Sequence, residues 1–349
     1  MAYLYGRHFT KQELMKRIGD ISQAAGVKQY NFTTGMAKGV HGIDVNAGGG
    51  LMFTILPDRG MDIAYAEYKG IPFGFISKTG IVAPGFFDPQ GLGFLKSFYA
   101  GLLTTCGMTY MGAPCCDEGK ELGLHGRMSH IIADDVAVSK QWAGDDYYIS
   151  VKGTVRESTV FGENITLTRE ISCKLGESKI NIKDTVENCG FDEQPLMLLY
   201  HCNFGYPIVS EDTVLLGLDG NVVPRDAEAE KGLDICHSYD APVHGYREQC
   251  FFYNLAHNKE KQAQVCLFNK AMNIGAYVRF NKDQLPYFTQ WKQIGEGDYV
   301  VGLEPGTYYP VGRAKARESG NLPHIQPGEI KTFELEIGIT EGEAYDASK

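Results

Sequence analysis

Three ionisable side chains sit in apolar stretches of this sequence. Glu304 closes "YVVGLEPG", with Val300, Val301, Leu303 and Pro305 around it. A glutamate at a strand end is ordinarily solvated. Neighbours like these desolvate it and raise its proton affinity towards neutrality, which suits a proton acceptor near pH 7. His201 lies in "MLLYHCNFGYP". Strand alternation puts Met197, Leu199, His201 and Asn203 on one face, and Leu198, Tyr200, Cys202 and Phe204 on the other. If both faces are buried, His201 and Asn203 form a polar pair inside a sheet. Leaving such a group unpaired costs about 1–3 kcal/mol, so the pair is either hydrogen-bonded core or part of a ligand site. His125 lies in "ELGLHGRMSH", residues 121–130. If extended, this stretch turns His125 and Arg127 towards one pocket. If it is a surface turn, Arg127 pairs with a nearby acid. "ILPDRGMDI", residues 55–63, adds Asp58, Arg59 and Asp62. Either these charges cap a hairpin, or Arg59 aims its planar donor fork at a ligand.

The elements that must position these groups are mostly strands. "VKGTVRE", "ITLTREISC" and "INIKDTVEN" alternate apolar and polar residues with period two, as half-buried antiparallel strands do. Similar runs recur through "GLMFTILPDRGMDIAYAEYKG", "AQVCLFN", "IGAYVRFN" and "IKTFELEIGIT", separated by breakers such as Gln326-Pro-Gly. One helix signal opens the chain: Thr10-x-x-Glu13 is a capping box, Leu14, Ile18 and Ile21 follow at helical spacing, and Gly26 is a stop. The reading is mainly β: a large antiparallel β-sandwich over residues 45–349 with a helical N-terminal extension over 1–44 packed on it. Residues 84–118 read as a long functional or covering loop.

Composition narrows the partners. The 349 residues carry 33 basic and 43 acidic side chains, a formal charge of −10. Phosphate recognition draws on Lys and Arg, so neither nucleic acid nor an anionic membrane is an expected partner. Nine cysteines, an odd number without a CxxC, read as free thiols of a reducing compartment. "MAYLYGRHFTKQEL" lacks the apolar core of a signal peptide, and no run reaches the length of a membrane span. The expected location is the cytoplasm. Dinucleotide-loop, P-loop and serine-elbow motifs are missing from the sequence.

The order of "LPDRGMDI", "CGMTYMGAPCCDEGKELGLHGRMSH", "LLYHCNFGYP" and "YVVGLEPGT" resembles the aldose 1-epimerase (galactose mutarotase-like) superfamily, in its branch labelled as a domain of unknown function (DUF4432-type). The resemblance covers most of the chain. It implies a supersandwich whose concave face binds a sugar, and an isomerase that interconverts the anomers of a monosaccharide or simple derivative by ring opening. It makes Glu304 the base, His201 the acid on the ring oxygen and His125 an orienting group. Arg59, Arg127 and Asn203 would hold sugar hydroxyls. The family's sugar-gripping aspartate has no clear counterpart in "SYDAPVHGYREQCFF", where Asp240, His244 and Glu248 are alternatives. No cofactor or metal is implied, and a homodimer is left open. Two other functions stay in view. One is a non-catalytic sugar-binding protein on the same scaffold. The other is a metal-dependent sugar isomerase that uses the two histidines and the carboxylate as ligands.

Overall fold

The computed structural model describes residues 1–218 and 221–342, and the period-two segments are its strands. Asp146–Ser158, Asn164–Lys174 and Lys179–Asn188 follow one another through short turns, and so pair antiparallel. Asp134–Ala143 flanks them on one side. Ile330–Glu341, Ile274–Asn281, Gln262–Asn269 and Thr213–Leu216 continue the sheet on the other.

The second sheet draws on strands distant in sequence. Its order is Val222–Pro224, Gln249–Tyr253, Tyr287–Gly295, Asp298–Gly306, Leu199–Gly205, Leu103–Cys106, Asp62–Tyr68, Leu51–Leu56, His41–Asn46 and Gly26–Asn31, each antiparallel to the next. The two sheets face each other as a sandwich. Ile149, Val151, Leu167, Ile171, Ile182 and Ile337 of the first sheet share one buried cluster with Ile55, Ile63, Leu103, Cys202, Phe204, Phe288, Val301 and Leu303 of the second. Burial of each such side chain stabilises the fold by about 1.5–3 kcal/mol.

One ionic group crosses this core. Arg169 donates to both oxygens of Asp184 (2.9 and 2.6 Å) on its own sheet and to Asp62 Oδ1 (2.9 Å) on the facing sheet. Asp62 also accepts from the amide (3.0 Å) and hydroxyl (2.7 Å) of Thr105, and Tyr200 donates to Asp184 at 2.7 Å. Burial pushes the Asp62 carboxyl up to about 6, against the pull of the Arg169 charge. Tyr200 precedes His201, so its bond to Asp184 holds the strand that carries the histidine.

Three expectations change. The capping box at Thr10 and Glu13 forms, but the helix is only Lys11–Met15. Asp20 starts a separate turn by accepting from the Ser22 amide, so Ile21 belongs to another element. Residues 1–44 are not merely a packed extension, because Gly26–Asn31 and His41–Asn46 complete one edge of the larger sheet. Within 84–118, Leu103–Cys106 is a central strand between the one bearing His201 and the one beginning at Asp62. Four residues were too few to show a period.

Candidate active site

The face of the second sheet turned away from the core carries two rows of side chains. The register that pairs Cys202 with Leu303 sets His201 against Glu304, and Glu304 pairs directly with Thr289. The adjacent row runs Asn203, Gly302, Trp291 and Cys250. Period two thus places His201 and Asn203 side by side, and Glu304 next to Thr289, on one surface.

The glycine in the second row has a steric cause. A Cβ on Gly302 would lie 2.4 Å from Glu304 Oε1 and 3.0 Å from the Trp291 Cβ. The bare backbone lets the carboxyl fold down beside the indole. Glu304 Oε1 then stands 3.2 Å from His201 Nε2, both side chains buried. The ring N–H is not aligned for a hydrogen bond, so Oε1 has no partner.

His125 arrives on a loop. Its φ is +60° and that of Gly126 is +77°, so residues 123–126 turn, and of the two alternatives the extended one is ruled out. Gly107 donates to the His125 carbonyl (3.0 Å), and His125 donates to Gly112 O (2.9 Å). A Cβ on Gly126 would meet Gly107 O at 2.3 Å, so this close approach needs glycine. The hairpin ahead of it is latched to the chain beyond Glu304. Asp117 accepts from Arg313 Nε (2.6 Å) and from Arg317 Nε and Nη2 (both 2.9 Å), and Arg313 donates to Thr109 O. His125 thereby reaches the sheet, its ring 5.7 Å from that of His201.

Aromatic rings close the walls. Phe98 lies 5.3 Å from His201, Trp291 5.2 Å from His201 and Phe94 5.3 Å from His125. Beyond Thr289, Phe252 stacks on Tyr309 at 4.3 Å. Burial is the main cause of every titration shift in this cluster. It lowers His125 to about 4 and His201 to about 3, and raises Glu304 well above the usual carboxylate range. Seven buried side-chain polar atoms among the described residues lack a hydrogen-bond partner. Five of them are His125 Nδ1, His201 Nδ1, Asn203 Oδ1, Thr289 Oγ1 and Glu304 Oε1. Each carries a desolvation penalty of about 1–3 kcal/mol, so five gathered in one buried cluster single it out as the place in the fold that calls for an explanation beyond packing.

The other expected residues divide. Asn203 lies in the hollow, its amide donating to Ala100 O (3.2 Å) and His201 O (2.8 Å). Arg59 does not aim at a ligand. Buried, it donates to Ser129 O, Val82 O and Ser97 O and contacts His130 Nε2 at 2.9 Å, which ties three segments together. Arg127 is the surface-turn alternative, paired with Glu163 (2.9 Å) and bonded to Ser158 O. His244 makes an exposed pair with Glu296, and exposed Asp240 offers its carbonyl to Tyr299, so neither joins the cluster. Of the three alternatives in that segment, Glu248 reaches the hollow, accepting from Trp291 Nε1 at 2.8 Å.

Trp291 and Thr289 were not singled out by the sequence. Alternation over Tyr287–Gly295 puts Thr289 and Trp291 on one face, but only strand order reveals that this face adjoins Glu304. Among the described residues, no group of three His, Cys, Asp or Glu side chains is placed to hold a metal ion. No helix among them is long and apolar enough to cross a membrane.

Comparison with solved structures gives the same architecture. A candidate aldose 1-epimerase from Klebsiella pneumoniae superposes with a TM-score of 0.87 at 27% identity, over 91% of this chain and 84% of that one. A galactose mutarotase-like protein from Clostridium acetobutylicum gives 0.64 at 15% identity, over 91% and 99%. Galactose 1-epimerase from Lactobacillus acidophilus gives 0.59 at 12%, over 91% and 100%, a likeness of fold. No curated protein matches the sequence. The fold is therefore galactose mutarotase-like. The family model described as a domain of unknown function, DUF4432, matches residues 37–339, and the chain belongs to that family.

Proposed function

We propose that this protein is an aldose 1-epimerase-type isomerase, which interconverts the anomers of a monosaccharide or simple derivative. One observation carries the reading: a buried acid–base pair, Glu304 and His201, lies in a cluster where five buried polar atoms lack a hydrogen-bond partner. The names of the similar structures point the same way.

The chemistry follows from the pair. The hydroxyl and ring oxygens of a cyclic sugar are bonded to the same carbon, so a base for one and an acid for the other must be neighbours. Glu304 takes the proton of the anomeric hydroxyl while His201 gives one to the ring oxygen. The C1–O bond of the ring breaks and the exocyclic C1–O bond becomes a carbonyl. Rotation about C1–C2 and closure through the reverse transfers give the other anomer. No proton is gained or lost overall. His125 and Asn203 orient the sugar, and Phe98 and Trp291 face its apolar surface. A positioned acid or base contributes roughly 10²–10⁴-fold.

The test is anomer exchange by NMR saturation transfer over a panel of monosaccharides. Accelerated exchange that vanishes in Glu304→Gln, with unchanged thermal unfolding, supports the reading. Ligand binding without exchange would assign a sugar-binding protein instead.

A further inference from the structure

A second hollow, of about 320 Å³, lies on the outer face of the larger sheet, near the edge strand Gly26–Asn31. Asp44 in its lining sits on His41–Asn46, four strands from the one that carries His201. At about 4.8 Å per strand the separation is about 19 Å. None of the groups around Glu304 belongs to its lining.

Local sequence builds this place. Ile43 and Val45 turn into the core, so Asp44 between them turns out. Asp44 pairs in register with Thr54, and the shift after Phe53 leaves Ala64 and Tyr65 together opposite Thr54. Tyr30 comes from the edge strand and rests against Gly42, where a Cβ would stand 2.7 Å from two of its ring atoms. Glycine at 42 therefore lets the phenol lean over to Asp44. Tyr30 and Thr54 both donate to Asp44 Oδ1, at 3.0 and 2.6 Å. On the other side Met52 pairs in register with Glu67, and Tyr65 and Met52 are 46% and 40% exposed.

The charge of the hollow has one sign. Both donors to Asp44 are neutral hydroxyls, which orient the carboxylate without cancelling it. Burial and then the Asp44 charge push Tyr30 up to about 12, so the phenol keeps its proton. Glu67 adds a second carboxylate, and no Lys, Arg or His lines the space. Lys28, exposed and opposite Asp44 in register, makes no ion pair with it among the described residues. Two carboxylates repel anions. A small metal ion prefers oxygen ligands on most sides, whereas here ring faces and a thioether take several of them. Alkylated ammonium ions match such a lining, because aromatic faces attract them and they surrender hydration cheaply.

We infer that this hollow is a second ligand site, independent of the functional reading above, for a small organic ammonium ion. Its nitrogen lies between Asp44 and Glu67, and its alkyl groups lie against Tyr30, Tyr65 and Met52.

The test is a titration followed by saturation-transfer difference NMR at constant ionic strength. The probes are tetramethylammonium, choline and the uncharged isostere of choline in which carbon replaces nitrogen. Choline is expected to bind at least about tenfold tighter than its isostere. Asp44→Asn, Glu67→Gln and Tyr65→Leu each weaken choline about three- to tenfold, with thermal unfolding and anomer exchange as in the unaltered protein. Lys28→Met removes a competing charge and tightens binding by about twofold or more. Equal binding of choline and its isostere overturns the proposal, as does the absence of saturable binding of either ammonium ion below about 10 mM. Choline affinity unchanged in both Asp44→Asn and Tyr65→Leu also overturns it, because the ion then sits elsewhere.

Discussion

Glu304 Oε1 and His201 Nε2 stand 3.2 Å apart in a buried hollow, yet no hydrogen bond joins them. Oε1 is one of the buried polar atoms without a hydrogen-bond partner. Burial favours the neutral form of each, so the pair holds one titratable proton between the two, on the carboxyl. Moving that proton to the imidazole gives the reactive arrangement without exchange with solvent, and the titration belongs to the pair.

This sets the pH dependence of anomer exchange. His201 is lowered to about 3, so a second proton enters the pair only in strong acid. Glu304 is raised, so the single proton is kept beyond the usual carboxylate range and lost on the alkaline side. The expected kcat/KM profile is flat from about pH 4 upward and falls only where that proton leaves. An acid limb centred near the ordinary histidine value of about 6.5 would contradict it.

Gly302→Ala tests the seat of the carboxyl. The added methyl would lie 2.4 Å from Glu304 Oε1 and 3.0 Å from the Trp291 Cβ, so the carboxyl must swing away. Exchange is expected to fall by a factor of roughly 10² or more. Thermal unfolding should register a cost of about 1–3 kcal/mol for overpacking.

Arg169→Met tests the tie between the sheets. The variant leaves Asp62 and Asp184 buried without their cation, which costs about 3–5 kcal/mol. Denaturant titration should show this as a lower midpoint with an unchanged slope.

His130→Gln tests a structural histidine outside the hollow. His130 stacks on Phe87 at 4.0 Å and contacts Arg59 and Ser97 through Nε2. Burial, helped by the Arg59 charge, lowers it to about 2. Because the folded value lies below the unfolded one, its contribution is complete above about pH 6.5 and declines as pH falls below that. The unaltered protein should therefore lose more melting temperature between pH 7.5 and pH 5 than the glutamine variant, which cannot be protonated there.

Glu304, His201 and Asn203 were legible because period two fixes which side chains share a face, whatever the sheet around them. His125 was singled out by its residue type, with its backbone left open between an extended segment and a turn. An extended segment would have carried Arg127 with it, whereas the left-handed backbone at His125 and Gly126 sends Arg127 to Glu163, 36 residues away in sequence. Arg59 misled for a related reason. Its carbonyl acceptors at Val82, Ser97 and Ser129 come from loops whose meeting no local pattern announces. The far wall was missed because it depends on strand order. Gln249–Tyr253 and Tyr287–Gly295 are neighbours only in the folded sheet.

The latch at Asp117 separates two kinds of part. The pair proposed to transfer protons, His201 and Glu304, is built on adjacent strands at the centre of a wide sheet, where a shift of register would turn every side chain over. His125 and the rim before it hang from a hairpin, Cys115–Asp117 and Lys120–Leu122, fastened by one aspartate to two arginines. Lengthening or recolouring that hairpin would redraw the aperture while the reacting groups keep their places. A scaffold so divided can change its diet without relearning its chemistry.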